Sequence, residues 1–251
     1  MKALACVLSL LLTAISLHAD IISQWNFNSV PPDAMSGTGS LDPSVGYGAL
    51  NFLNGVTSTF TAGTTTDPAT SDDTAINTTH YPTQGTSNKT AGLQFDLSTV
   101  GYSNIVIRWD QRTTSTASKY FRLQYSSDGT TFTDYANPIA AQTASVYEAQ
   151  TNSLAAITNV NDNPNFAFRI VAEWESTAIN SASNGYVTLG GSYLPNSATV
   201  RFDYVTISGT QLPGSDTAPT ISAIGDQMIR VNQSTGPIPF TVLDAEDPAS
   251  N

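Results

Sequence analysis

The sequence predicts an all-β protein built as an antiparallel β-sandwich, and three observations carry that expectation. Apolar residues recur at a period of two in many short segments. Clusters of Gly, Pro, Asn, Asp and Ser separate those segments, and no stretch sustains a helical period of useful length. The clearest segment is Tyr120-Phe121-Arg122-Leu123-Gln124-Tyr125, which leads through Ser126-Ser127-Asp128-Gly129 into Thr131-Phe132-Thr133-Asp134-Tyr135. Phe121, Leu123 and Tyr125 fall on one face and Tyr120, Arg122 and Gln124 on the other. Asp-Gly supplies residues that tolerate positive φ, so the pair reads as a β-hairpin.

The chain opens with Lys2, an apolar run from Ala3 to Leu17, and the small residue Ala19 ahead of Asp20. Residues 1–19 therefore read as a secretory signal peptide, and the expected location is secreted or at the cell surface. A spanning helix needs about twenty apolar residues, and this run is interrupted by Ser9, Thr13 and Ser16. Removing the leader removes Cys6, the only cysteine, and leaves His80 as the one imidazole, so no disulfide framework is expected. It also leaves eight cationic against twenty acidic side chains, a formal charge of −12. That charge repels phosphate backbones and anionic lipid, which argues against a nucleic-acid partner and against membrane association of the mature chain.

Taken in order, Ile21 to Asn28 alternates with Ile21, Ser23, Trp25 and Phe27 on one side, giving a first strand that ends at Pro31-Pro32. Ala49 to Leu53 and Val56 to Phe60, around Asn54-Gly55, suggest a second hairpin. Residues 61–90 are dominated by Thr, Ser, Asn, Asp and Gly and read as a long surface loop. Order returns at Leu93, Phe95 and Leu97, and at Ile105, Ile107 and Trp109 with Val106, Arg108 and Asp110 opposite. After the hairpin of residues 120–135, an extended stretch runs from Thr143 to Gln150, and Leu154 to Val160 suggests one helical turn. Phe166, Phe168, Ile170 and Trp174 form another core stripe, and Val200, Phe202 and Tyr204 close the set.

Many short strands within residues 20–212 fit one jelly-roll sandwich, a span large enough to bury a core without cross-links. The combination of Trp25-Asn26-Phe27-Asn28, Leu123-Gln124-Tyr125-Ser126-Ser127-Asp128-Gly129, Phe166-Ala167-Phe168-Arg169-Ile170-Val171 and Arg201-Phe202-Asp203-Tyr204-Val205 resembles the jelly-roll modules near the start of long secreted bacterial proteins. Those modules resemble discoidin-like and carbohydrate-binding sandwiches, which implies architecture and location more firmly than activity. Residues 213–219 read as a linker. Residues 220–251, with Ile221, Val231-Asn232, Phe240-Thr241-Val242 and Asp244-Ala245-Glu246-Asp247, resemble the opening half of an immunoglobulin-like or cadherin-like surface repeat. Such a sandwich needs roughly 100 residues, so the expectation is a fragment of a larger protein or a truncated gene.

Catalytic signatures are weak. A Ser-His-Asp site would rest on His80 alone, inside a Thr-rich segment. Glu173 and Glu175 are two apart on a predicted strand, but a solvated strand edge explains them better than a glycosidase pair. Oxygen ligands abound while sulfur and imidazole are scarce, so calcium is the one metal to consider. Asp203 on the closing strand with Asn26 and Asn28 on the first is the candidate structural calcium site, in the manner of many jelly rolls.

One further pattern recurs. Arg108, Arg122, Arg169 and Arg201 stand on the non-core faces of four strands, and Asp110, Gln124 and Asp203 follow three of them by two residues, with Glu173 four beyond Arg169. Cross-strand neighbours would turn these groups into a salt-bridge ladder or into a polar platform for a hydroxyl-rich ligand, with Tyr120 available for stacking. As a surface residue, Arg122 should tolerate Ala at a cost of about half a kcal/mol or less. Loop aromatics Tyr47, Tyr81, Tyr102 and Tyr193 are the alternative binding positions. The function expected is a non-catalytic binding or adhesion module for an extracellular polysaccharide or cell-surface glycan. The competing class is a secreted hydrolase, or the accessory domain of one.

Overall fold

The computed structural model describes residues 19–68 and 72–213, together with residues 220, 221, 224, 234, 237, 238, 242 and 243. The leader, and most of the segment read as a second repeat, lie outside the described residues. Two antiparallel sheets face each other, as the sequence predicts. The first contains β1 (Ala19–Trp25), β3 (Thr57–Ala62), β4 (Thr74–Thr79), β6 (Tyr102–Thr113), β9 (Tyr147–Ser153) and β11 (Val200–Gln211). Their order is β3-β4-β11-β6-β9, with β1 beside the far half of β11. The second has the order β2-β5-β10-β7-β8, from β2 (Ala49–Leu53), β5 (Gly92–Leu97), β7 (Tyr120–Ser126), β8 (Thr133–Ala140) and β10 (Phe166–Glu173). A two-residue ladder, β12 (Thr220–Ile221) with β13 (Val242–Leu243), stands apart from both sheets.

The core is where alternation places it, except at Tyr204: a register shift between Asp203 and Thr206 turns Tyr204 out of the predicted stripe, under Arg108, and buries Val205 in its place. Ile105, Ile107 and Trp109 of β6, Phe121 and Leu123 of β7, Phe166, Phe168 and Ile170 of β10, and Val200 and Phe202 of β11 are all buried. Aromatic rings join strands and layers: Phe95 stacks on Phe168 at 4.8 Å, Trp25 meets Phe95 edge-on at 5.0 Å, and Phe121 meets Phe202 at 6.2 Å. The predicted hairpin of residues 120–135 forms, with Gln124 opposite Asp134 and Gly129 at φ 75° in the turn. Thr158–Val160 forms the expected single turn, a 3-10 helix.

Four expectations are corrected. β2 and β3 are not a hairpin: β2 pairs with β5 and β3 with β4, so Asn54-Gly55 carries the chain from one sheet to the other. Residues 61–90 are not one loop, because Thr74–Thr79 forms β4 with Ala75 and Ile76 fully buried. One aliphatic among threonines suffices there, since Thr itself favours the pleated surface. The first strand ends at Trp25, and a register shift between Ile21 and Ser23 leaves Ile21 exposed while Ser23 is buried. Beyond Glu173 the chain leaves the sheet for a short helix, α1 (Glu175–Ile179), so Trp174 caps a helix rather than extending a strand.

Candidate functional site

The four arginines do not share a face. Arg122 and Arg169 lie on the outer side of the five-stranded sheet, and Arg108 and Arg201 on the outer side of the six-stranded one, because β7 and β10 belong to one layer and β6 and β11 to the other.

On the five-stranded sheet, register aligns one polar row across all five strands: Asn51, Gln94, Arg169, Gln124 and Asp134. Arg169 Nε donates to Gln94 Oε1 at 2.7 Å, and its guanidinium lies 3.5 Å from the centroid of the Phe132 ring. Gln94 and Asn51 both donate to Asp96, and Gln124 donates to Asp134, which also pairs with Lys89. At one end this face is closed. Arg122, 7% exposed, makes a bidentate pair with the fully buried Glu173 at 2.8 and 2.9 Å and donates to the Ala136 carbonyl. Helix α1 packs on β7 and β8 there, which is why a position that parity assigns to solvent is interior. Tyr120 is 6% exposed with Lys119 over its ring, so it offers no face for stacking.

The six-stranded sheet carries Asp110 directly opposite Asp203, both buried. Arg108 reaches Asp110 at 3.2 Å and lies over Tyr204. Asp203 accepts the Thr64 and Tyr204 amides, yet burial pushes its carboxyl up to about 8, with Asp67 and Asp73 adding to the rise. Asp73 is raised to about 6 by burial and by Asp67. A Cβ on Gly63 would stand 2.2 Å from Asp73 Oδ1 and 2.4 Å from Asp203 Oδ2, so the two oxygens lie within about 4.6 Å of each other and only glycine fits between them. The residues proposed for calcium are otherwise engaged. Asn26 Oδ1 accepts the Asn28 amide, and the Asn28 side chain is held by Asp67 and Thr74. No group of three or more acidic, imidazole or thiol side chains is gathered to hold a metal ion among the described residues.

The carboxylate pair separates as well. Glu173 is locked by Arg122, while Glu175 opens α1 and accepts Ser181 Oγ. His80 is exposed and meets Thr57 Oγ1.

An open site does exist, at the end of the five-stranded sheet. A cavity of about 420 Å³ is lined by Tyr47, Asp96, Asp128, Thr130, Asn165 and Phe166, among others. Tyr47 is 92% exposed. The loop backbone is nevertheless held: the Gln24 amide donates to the Val45 carbonyl at 3.0 Å, and Ser23 Oγ, 3.2 Å from both the Val45 and Tyr47 carbonyl oxygens, shares its one proton between them. The flanking glycines make the approach feasible: a Cβ on Gly46 would stand 2.0 Å from the Ile22 carbonyl oxygen, and one on Gly48 2.7 Å from the Trp25 ring. Opposite Tyr47, Asp128 Oδ1 accepts the Thr130 and Thr131 amides and Ser126 Oγ, which holds the carboxyl well below the usual carboxylate range. Asp96 belongs to both the cavity and the polar network beside the row, so the two surfaces are continuous.

The remaining loop aromatics are committed elsewhere. Tyr81 is buried, and Tyr102 lies on β6, packed against the core. Tyr193 and Tyr186 line a separate cleft, but they stack on each other at 5.0 Å; the Tyr193 hydroxyl donates to the Pro82 carbonyl and the Tyr186 hydroxyl shares its proton between the Thr86 and Ser87 carbonyls. Gly-Tyr-Gly at 46–48 is the sequence signal for the exposed ring, legible only as an aromatic in a glycine-rich loop.

No family model matches the chain, and no curated protein does. Solved structures do. The chain is similar to the CBM22-1 xylan-binding domain from Paenibacillus barcinonensis Xyn10C, with a TM-score of 0.41 and 11% identity over 79% of this chain and 99% of that one. It is also similar to the CBM22-2 xylan-binding domain of the same protein (TM-score 0.39, 9% identity, 64% and 91% covered). The K1 cleaved adhesin domain of Lys-gingipain from Porphyromonas gingivalis W83 follows (0.31, 12%, 66% and 99%). These likenesses concern the fold.

Proposed function

We propose that this protein is a secreted, non-catalytic module that binds a neutral polysaccharide, and that Tyr47 is the stacking platform. The observation that carries the reading is the combination of a 92% exposed ring with a fixed backbone at the rim of a cavity of about 420 Å³. A sugar presents an apolar face and a ring of hydroxyls, and therefore needs a flat apolar surface beside fixed acceptors and donors. Tyr47 supplies the first. Asp96, Asp128 and Asn165 supply the second, and the row through Gln94 and Arg169 extends the polar surface for further units of a chain. A non-catalytic role agrees with the separation of Glu173 from Glu175 and with the burial of the former.

Affinity electrophoresis of the full chain against a panel of neutral polysaccharides tests the proposal. At least one should retard the protein, and Tyr47→Ala should abolish the retardation while leaving the melting temperature unchanged. An unretarded protein across the panel, or retardation indifferent to Tyr47→Ala, would remove the reading.

A further inference from the structure

Five of the seven cations among the described residues are engaged by an acid or an aromatic ring. Among the described residues, Lys89 pairs with Asp134, Arg108 with Asp110 and Arg122 with Glu173, while Lys119 and Arg169 lie over the rings of Tyr120 and Phe132. Arg112 and Arg201 make no ion pair among those residues, and they stand directly opposite each other on β6 and β11. Like charges in register oppose strand pairing, so this juxtaposition calls for a counter-charge.

The nearest acids cannot supply it. Asp110, opposite Asp203 in the neighbouring outward position, is engaged by Arg108. Asp203 is fully buried beneath Gly63 and Thr64 and holds its proton at neutral pH, since its carboxyl is raised to about 8. Each guanidinium is instead anchored to the backbone: Arg112 Nε donates to the Ser145 carbonyl and Arg201 Nη1 to the Ala62 carbonyl, and Arg201 also meets the Tyr147 hydroxyl. The Ala62 carbonyl also accepts Tyr147 Oη, which places that ring at the edge of the pair. Burial and the neighbouring Arg201 both lower the pKa of Arg112, as two uncompensated cations side by side should. Arg201 Nε is buried with no hydrogen-bond partner, and so is Asn77 Oδ1 on the adjoining strand.

We infer that Arg112 and Arg201, with Tyr147 at the rim, form a second binding site on the outer face of the six-stranded sheet, for an oxyanion group carried on a glycan. Two guanidinium groups in register and close enough to repel, each held by a backbone carbonyl, carry further Nη donors on one face, which is the chemistry that grips a carboxylate or a sulfate ester. The site is independent of the Tyr47 cavity, which lies on the other sheet. Because the chain as a whole is acidic, attraction is local to this pair and should weaken steeply with salt.

Calorimetric titration of the full chain with trigalacturonate, and separately with a sulfated disaccharide, tests the inference and distinguishes a uronate from a sulfate source. At least one should bind at low ionic strength. Arg112→Gln and Arg201→Gln should each weaken that binding by about tenfold or more, the loss of one charge-assisted contact. Arg112→Lys, which keeps the charge but not the fork, should fall between wild type and Arg112→Gln and serves where Arg201→Gln fails to fold. Tyr47→Ala should leave anion binding intact. Failure of both anions to bind, or binding that survives Arg112→Gln, overturns the inference without touching the proposal for Tyr47.

Discussion

Arg122 and Glu173 form a two-pronged ion pair on the nominally outward face of the five-stranded sheet, with Glu173 fully buried and Arg122 7% exposed. Removing one partner strands the other charge in the interior. Arg122→Ala should therefore destabilise the protein by about 3–5 kcal/mol, not by the small amount expected of a surface position. Urea unfolding of Arg122→Ala, Glu173→Gln and an Arg122→Met/Glu173→Leu double variant checks this. The double variant should recover much of the loss, and a single variant that unfolds like wild type would show the pair to be solvated.

Tyr47 and Gly48 should behave oppositely, although they are neighbours. Tyr47→Ala removes a side chain that touches solvent, so its stability should stay within about half a kcal/mol of wild type. Gly48→Ala drives a methyl group toward the Trp25 ring and the Asp96 carbonyl, and should cost about 1–3 kcal/mol. Tryptophan fluorescence during denaturation follows both, because Trp25 is fully buried and is exposed on unfolding. Equal stability of the two variants would contradict the tight seat of this loop.

Fold class and most core positions were legible in the sequence because period-two alternation reports burial directly, as at Ile105, Ile107 and Trp109. Partner choice was not. Asn54-Gly55 has the chemistry of a hairpin turn, but whether the strands it joins pair with each other depends on β4 and β5, which local sequence does not encode. The same gap misplaced the arginines. Parity correctly put Arg108, Arg122, Arg169 and Arg201 away from the core, yet it says nothing about which layer a strand joins or what covers its outer side. Burial of Arg122 and Tyr120 beside a five-residue helix, and exposure of Tyr47, are tertiary outcomes of that kind.

Arg169, at the centre of the polar row, lies with its guanidinium carbon 3.5 Å from the centroid of the Phe132 ring. Phe132→Ala should cost about 0.5–1 kcal/mol, the usual worth of a cation–π contact near the surface. It should also loosen Arg169, leaving the Gln94 bond as its fixed point. Thermal denaturation measures the first effect and the Nε proton resonance of Arg169 the second; an unchanged, protected resonance would mean that Gln94 alone orders the side chain.

Asp203 and Asp73 set the pH dependence of stability. Both carboxyls are raised from an ordinary 3.8, to about 8 and about 6, chiefly by burial. A raised folded-state value means that the folded protein holds protons the unfolded chain releases. The resulting stabilisation is complete below the ordinary value and is lost as pH climbs through 6 and then 8. Asp33, Asp128 and Asp134 are shifted the other way, so their contributions fall away only in acid and do not mask this window. Between pH 5 and pH 8 the buried Asp203 should lose about 4 kcal/mol, three units at about 1.4 kcal/mol each, and the more exposed, solvent-screened Asp73 should add less than one further unit. For a chain of this size the Asp203 loss corresponds to roughly 8–16 °C in Tm. Asp203→Asn, which keeps the shape without the ionisation, should flatten the profile. Calcium chloride and EDTA supply the control: a cation seated between Asp73 and Asp203 would hold both ionised and raise Tm most at high pH, whereas titration by protons alone leaves the two profiles superimposed. The engagement of Asn26 and Asn28 elsewhere leads us to expect superposition, and a calcium-dependent rise at pH 8 that Asp203→Asn abolishes would establish the metal instead.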